Sequence, residues 1–517
     1  MRAIRSGLAP VWLALSLAAA PFSGAVALDQ GCADDNRFSA GSPSEAVETL
    51  VEQAETALST GDYASAADFF ARAAAASSNE QEQWRLRTLQ AHANYEHGHV
   101  TGDTASVREA VRLYTDIVLP LSRRAEWPQE WAATQNNLGI ALALLGERGD
   151  TQAVREAIAA YRISLEVRTR EADPARWAMT QNNLGAALAT LGERGEDSAL
   201  SEAIVAYRAV LEVRTRAAAP VQWAATQNNL GTVLLTQAEL GDRGALQSAI
   251  AAFHASLEVR TRSNFPIEWA ETQNNLGIAL KALGEHGDVD ALRGAVAAYR
   301  ASLEVRTRDS MPAAWAQTQS NLGAALRLLG QAGDELALQE AIEAFEAALE
   351  VRTRAAAPAD WAETQTNLGN ALLVLGQQGE SARLRDAIDR FDQALQVYTR
   401  ETTPSRWATL QSARGNALRV VGELGDENAL REAVLSLEAS LEVRTRASAP
   451  QQWASSQLNL SLAYRAYLMR GDPNFGERAM TAARAALAGY EQAGDVNGAA
   501  MARQMIDDLE GRLSGLN

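Results

Sequence analysis

The chain has 517 residues, of which 47% are hydrophobic and 21% are charged, and its formal net charge is −17 at pH 7. This length exceeds one ordinary hydrophobic core, so several domains or a repeat array are expected, and the hydrophobic content excludes a disordered chain. Because a broad nucleic-acid surface needs clustered cations, the acidic balance predicts no nucleic acid partner.

The first 27 residues have the pattern of a signal peptide. Arg2 and Arg5 precede a short apolar segment, Val11 to Phe22, and the small residues at 25–27 form a cleavage site. We therefore expect cleavage after Ala27 and a periplasmic or secreted protein. No later stretch is apolar enough to cross a bilayer, so no membrane insertion of the mature chain is expected.

A linker and two degenerate helical segments are predicted next. The linker, 28–43, holds Cys32, the one cysteine of the chain, which excludes an internal disulfide. A helical hairpin is predicted over 44–83. A degenerate repeat follows over 84–130, because Trp84 lies 47 residues before Trp131.

Three histidines cluster within the degenerate repeat. His92, His97 and His99 include an H-x-H pair, but no third ligand stands at a fixed spacing. We expect a solvated turn here rather than a metal site.

A tryptophan then recurs every 46 residues, each time with a proline three residues before it. The column is Trp131, Trp177, Trp223, Trp269, Trp315, Trp361, Trp407 and Trp453. A fixed period of this kind is the signature of a repeat array. Eight repeats are predicted over 131–496, with a C-terminal capping helix over 497–517.

Each repeat has the pattern of two helices. The first starts at the proline and has apolar spacing of 3.6 residues. A Gly-Asp turn follows, with Asp150 placed to cap a second helix that runs through "TQAVREAIAAYRISLEVRTR". No segment shows convincing strand alternation. The predicted fold is all-α, an α-solenoid of antiparallel helix pairs.

Five positions of the repeat resemble the tetratricopeptide repeat (TPR). They are Leu138 and Gly139 on the first helix, and Ala157, Tyr161 and Ser164 on the second. The 46-residue length is most similar to the long repeats of the kinesin-light-chain type. The resemblance covers about 44–513. It implies a right-handed superhelix whose concave groove binds protein segments, and groove asparagines that bond the backbone of an extended peptide.

A helical wheel separates the polar side chains of "WAATQNNLG". At 100° per residue, Gln135 lies about 40° from Trp131 in the core stripe, where a ladder of bonds between repeats is expected. Asn136 and Asn137 lie on either side of the opposite face, so both are predicted to line the groove. The predicted peptide-binding residues are Asn136, Asn137, Asn182, Asn183, Asn228, Asn229, Asn274, Asn275, Asn321, Asn367 and Asn459.

The motif "RTR" closes the second helix in most repeats. Arg168 and Arg170 are predicted to complement the helix dipole and to pair with Glu166. The alternative is an arginine row that recognises an acidic ligand.

These patterns favour a scaffold that binds an extended peptide or protein segment in its groove. The alternative is a cell-envelope structural component that acts through its convex or end surfaces without a groove ligand. A third, weaker reading, glycan binding by the Trp and amide side chains, is disfavoured because the tryptophans face inward. No phosphate-binding glycine loop, nucleophile elbow or recurring carboxylate pair is present, so neither an enzyme nor a cofactor is expected. The partner and the oligomeric state are not specified by the sequence.

Overall fold

The computed structural model describes residues 45–514, so the predicted signal peptide and linker, with Cys32, lie outside the described residues. The described chain falls into two compact units. We call residues 45–261 the N-terminal unit and residues 262–514 the C-terminal unit. Each is a stack of helices in which consecutive helices pack against each other, and the described residues contain no strand. The predicted all-α solenoid of helix pairs is confirmed.

The first helix of each repeat, helix A, begins at the recurring proline. Proline suits this position because its missing N–H would have no helical partner there. The A helices of the N-terminal unit are Pro128–Glu147, Pro174–Glu193 and Pro220–Glu239. Those of the C-terminal unit are Pro266–Gly284, Pro312–Gln331, Pro358–Gln377, Pro404–Glu423 and Pro450–Met469.

A glycine and an aspartate then make the turn into the second helix, helix B. Gly149 has φ +105°, a conformation that side chains disfavour. Asp150 accepts a hydrogen bond from the Ala153 backbone N–H at 3.1 Å, so the predicted cap is confirmed. The B helices are Thr151–Leu165, Asp197–Val213 and Arg243–Leu257, then Val289–Leu303, Glu335–Leu349, Ala382–Leu395, Glu427–Val443 and Gly476–Ala493.

Helix B is shorter than the sequence predicted. The first one ends at Leu165, and the backbone then forms turns through Arg168 and Arg170. The "RTR" motif therefore lies after the helix and not within its last turn. The backbone N–H groups of Glu166 and Val167 bond three residues back, to the carbonyls of Ile163 and Ser164, so the last turn tightens and the helix ends there.

Further elements flank the repeats. The N-terminal unit opens with Glu45–Ser59, Tyr63–Ala76, Glu80–Thr101 and Thr104–Leu113, a π-helical turn Tyr114–Val118, and Leu119–Leu121. The C-terminal unit includes a 3₁₀ turn, Pro473–Phe475, and ends with Val496–Ser514. None of the helices described is long and apolar enough to span a bilayer.

The three clustered histidines lie in the helix Glu80–Thr101, which corrects the prediction of a turn. His92 and His99 stack on the ring of Tyr95, with ring centroids 6.1 and 5.9 Å away. Burial lowers the pKa of His92 to about 4. Within residues 45–514 no group of His, Cys, Asp and Glu side chains is arranged to hold a metal ion.

The second arginine of "RTR" ties neighbouring repeats together, and so do its equivalents Arg124 in "SRR" and Arg400 in "YTR". Arg124 pairs with Glu166 at 2.8 Å, and Arg170 pairs with Glu212 at 2.6 Å, in each case 42 residues further along the chain. In the C-terminal unit Arg400 pairs with Glu442 at 2.6 Å. Glu166 thus pairs with the arginine of the preceding repeat and not with its own. These pairs are half-exposed, so each contributes about 0–1 kcal/mol.

Candidate functional site

The candidate site is built on one face of the A helices. The second asparagine of the motif is half-buried in most repeats, and Asn229 is the most buried, with 9% of its surface exposed. This column consists of Asn137, Asn183 and Asn229 in the N-terminal unit, and Asn275, Asn321, Asn367 and Asn459 in the C-terminal unit. Contact of this column with a ligand remains a prediction.

The first asparagine lies deeper than the helical wheel predicted. Asn136, Asn228 and Asn274 are 2%, 2% and 4% exposed, and Asn182 is half-buried. The wheel allowed for one buried stripe, whereas a stacked helix A contacts its own helix B and also the next helix A, as Pro128–Glu147 contacts Pro174–Glu193. The assignment to the groove surface is corrected for Asn136, Asn228 and Asn274, and for Asn182 it stays a prediction.

The buried asparagine is the centre of a polar network between two repeats. Arg168 Nη1 donates to Thr180 Oγ1 at 3.2 Å, and Thr180 Oγ1 donates to Asn136 Oδ1 at 3.1 Å. Asn183 Nδ2 donates to the same Asn136 oxygen at 3.3 Å. One buried carbonyl oxygen therefore fixes a hydroxyl and a half-buried amide of the next helix A.

The same four-residue geometry recurs in the C-terminal unit. Arg306 Nη1 donates to Thr318 Oγ1 at 3.2 Å, and this hydroxyl lies 2.9 Å from the Ala314 carbonyl oxygen and 3.3 Å from Asn274 Oδ1. Asn321 Nδ2 donates to Asn274 Oδ1 at 3.2 Å. The recurrence shows that the network belongs to the repeat and not to one pair of helices.

The arginine of the network is a buried cation. Arg168 is 1% exposed. Burial lowers the pKa of the Arg306 guanidinium, and the charge of Glu271 partly offsets this effect. Burial also lowers the pKa of Arg444 to about 10. A buried guanidinium stabilises the fold only where oxygen acceptors replace its water shell, and the threonine hydroxyl is one such acceptor.

The glutamine column does not form the predicted ladder in every repeat. Gln135 and Gln365 are buried as expected, with 8% and 4% exposed. Gln365 Oε1, however, is buried without a hydrogen-bond partner. The asparagine of the first column makes the bonds between repeats that had been assigned to the glutamine.

The side chains beside the second asparagine differ between repeats. The residue four positions before it is Ala133, Met179 and Ala225 in the N-terminal unit, and Glu271, Gln317 and Glu363 in the first repeats of the C-terminal unit. Asn183 also borders a cavity of about 20 Å³, lined by Tyr161 and Thr190 among others. The asparagines are thus a constant feature among variable neighbours.

Helix A and helix B meet at a glycine. A Cβ built on Gly139 would lie 2.5 Å from the ring of Tyr161, so the aromatic ring occupies the space that a side chain would need. Ser164 Oγ donates to the Ala132 carbonyl at 2.7 Å, and Ala157 is fully buried. These are the positions on which the resemblance to a known repeat was based.

No protein-family model and no curated protein sequence matches this chain. Solved structures with similar folds include apo RapI, with 12% identity, a TM-score of 0.49, and coverage of 84% of this chain and 99% of that one. The TPR domain of P58(IPK) has 15% identity, a TM-score of 0.24 and coverages of 82% and 99%. Human IFIT1 with m7Gppp-AAAA has 15% identity, a TM-score of 0.44 and coverages of 93% and 93%.

These likenesses concern the all-α repeat fold alone. The sequence predicted the asparagines, but it assigned Arg168 to a helix end and gave no role to Thr180. A signal for both was present. Thr134, Thr180, Thr226, Thr272, Thr318 and Thr364 form a column three residues after the tryptophans of the first six repeats, and Leu410 and Ser456 replace it in the last two.

Proposed function

We propose that this protein is an interaction scaffold that holds an extended peptide or protein segment along the A helices, through the second-column asparagines. The observation that carries the proposal is the geometry of Asn183. Its Nδ2 donates to Asn136, which leaves Oδ1 and the second N–H of a half-buried amide for a ligand. A backbone peptide group offers the complementary N–H and C=O.

The asparagines and the variable side chains beside them would have two different roles in binding. Backbone bonds to the asparagines hold any extended segment, whereas the variable residues select its side chains. Met179 and Ala186 would favour apolar side chains in the N-terminal unit. The proposal includes export through the leader 1–27, so the partner is a periplasmic or secreted protein segment.

The test uses peptides selected from a random phage-displayed 16-residue library on the protein comprising residues 28–517. We expect Asn137, Asn183 and Asn229, replaced together by Ala, to weaken binding on the order of a hundredfold, since each bond contributes about 1 kcal/mol. Circular dichroism should stay unchanged. Isothermal titration calorimetry with the selected peptides gives the affinities.

Gln247→Ala is the matched control, because Gln247 is an exposed amide on a B helix of the same unit. It should bind as the unchanged protein does. Equal affinity in the triple variant would contradict the proposal. A protein that selects no peptide and instead self-associates would favour the envelope structural component.

A further inference from the structure

Four side chains meet at the junction between the first two repeats, and we call them and their equivalents in the sequence the junction set. One repeat supplies the first-column residue of helix A and the arginine that follows helix B. The next helix A supplies the threonine and the second-column residue. At the first junction the set is Asn136, Arg168, Thr180 and Asn183, which three hydrogen bonds connect.

One junction has lost the whole set. After the repeat that starts at Trp361, the four positions hold Thr366, Tyr398, Leu410 and Ala413. The two polar side chains among them bond elsewhere. Tyr398 Oη donates to the Ala359 carbonyl at 2.8 Å, and Thr366 Oγ1 donates to the Ala362 carbonyl in its own helix at 2.7 Å. Leu410 is 1% exposed and packs in the core.

In the sequence, the arginine and the second-column asparagine occur together at all of the other six junctions between the eight repeats. The pairs are Arg168 with Asn183, Arg214 with Asn229, Arg260 with Asn275, Arg306 with Asn321, Arg352 with Asn367, and Arg444 with Asn459. A buried arginine that served packing alone would have no reason to disappear with a half-buried asparagine on the next repeat. The four positions therefore behave as one unit.

The donor and acceptor roles in these hydrogen bonds explain why the asparagine depends on the arginine. A guanidinium has no acceptor, so Thr180 Oγ1 must accept from Arg168 and use its own proton toward Asn136. That proton turns the oxygen of the Asn136 amide toward the next helix A. Asn183 can meet this oxygen only with Nδ2, so its Oδ1 points away from Asn136.

We infer that Arg168, Thr180 and Asn136 are positioning residues, which orient the Asn183 amide so that its carbonyl oxygen accepts a backbone N–H from the bound segment. This inference rests on the proposed function. Where the set is missing, Ala413 has no side-chain oxygen that could accept a hydrogen bond, so the bound segment makes no such bond at that repeat.

The test variant copies the residues that the chain has at the junction without the set. Arg168→Tyr with Thr180→Leu installs the pair found at Tyr398 and Leu410, which fills the junction but removes both hydrogen bonds of Thr180. Protein labelled with ¹⁵N at asparagine reports the side-chain amide of Asn183, assigned through its loss in Asn183→Ala. We expect the Asn183 amide protons of the double variant to exchange with water about threefold to tenfold faster.

The second measurement is the affinity for the selected library peptides. The double variant should lose about threefold to tenfold in affinity, and it should lose nothing further when Asn183 is already alanine. A purely structural role would give equal losses in both backgrounds. Thr180→Val, which removes only the hydroxyl, serves if the double variant unfolds at a much lower temperature.

Unchanged amide exchange in a folded double variant would overturn the inference, as would an equal loss of affinity with and without Asn183. Failure of the proposed function has a different signature. The library then yields no peptide, or Asn183→Ala binds as the unchanged protein does, while the amide measurement still decides whether the junction set orients Asn183.

Discussion

Glu147 ends the first helix A with one carboxyl oxygen buried and without a hydrogen-bond partner. Burial raises the pKa of this carboxyl to about 7 from an ordinary value of 4.5, against the opposing charge of Arg148. The folded state therefore binds the proton more tightly than the unfolded chain does. The stability that this carboxyl contributes is complete below pH 4.5 and is lost as the pH rises through 7.

Glu147→Gln mimics the protonated carboxyl at every pH. We expect the variant to melt at a higher temperature than the unchanged protein at pH 8, and at nearly the same temperature at pH 4. Thermal melts followed by circular dichroism at both values test this. The exposed Glu156→Gln on the adjoining helix B should show no such difference, and a gap of equal size at both pH values would contradict the assignment.

The junction residues show what a single sequence can and cannot predict about a site. The period placed the asparagines on helix A and separated their two columns. It could not show that Asn136 is buried, because burial there depends on the neighbouring repeat and not on the helix itself. Arg168 was assigned to a helix end, and its bond to Thr180 required the three-dimensional junction.

At the scale of the element, the contact between helix A and helix B is set by a glycine. A Cβ built on Gly277 would lie 2.6 Å from the ring of Tyr299, which is fully buried. We expect Gly277→Ala to lower the free energy of unfolding by about 1–3 kcal/mol, because the ring has no free space to occupy. Urea titration followed by circular dichroism measures the change.

Gly511→Ala is the matched control, since Gly511 lies in the last helix and a Cβ there meets no atom within 4 Å. Alanine favours the helix by about 1 kcal/mol, so this variant should be slightly more stable. If Gly277→Ala were also stabilising, the packing argument would be wrong.

Helix boundaries were predictable where one residue type decides them. Proline fixes the start of every helix A, and Asp150 fixes the start of a helix B. The end of helix B was not predictable, because a favourable helical sequence continues through Val167 while the backbone already turns toward Pro174.

At the scale of the molecule, the strict period makes a repeat removable. Deleting residues 174–219 joins Asp173 to Pro220 and takes out 46 residues, one full period. Arg170 then meets Glu258 at the spacing it now has to Glu212. We expect a folded protein with unchanged mean residue ellipticity and one repeat fewer, since repeat stability is a sum over neighbours.

Deleting residues 174–196 is the control, because it removes helix A alone and leaves the helix B Asp197–Val213 without its partner. This variant should lose helicity and aggregate in gel filtration. Equal behaviour of the two deletions would show that register does not govern the stack.

The side-chain bonds between neighbouring repeats bear on the order in which the helix pairs fold. Arg170 reaches Glu212, Thr180 reaches Asn136 and Arg148 reaches Gly98, over 42, 44 and 50 residues of chain. Short loops close at low entropic cost, and chains dominated by such local contacts fold fast. A chain emerging N-terminus first can thus complete its early helix pairs before the last ones are synthesised, and each finished pair offers the next a folded template.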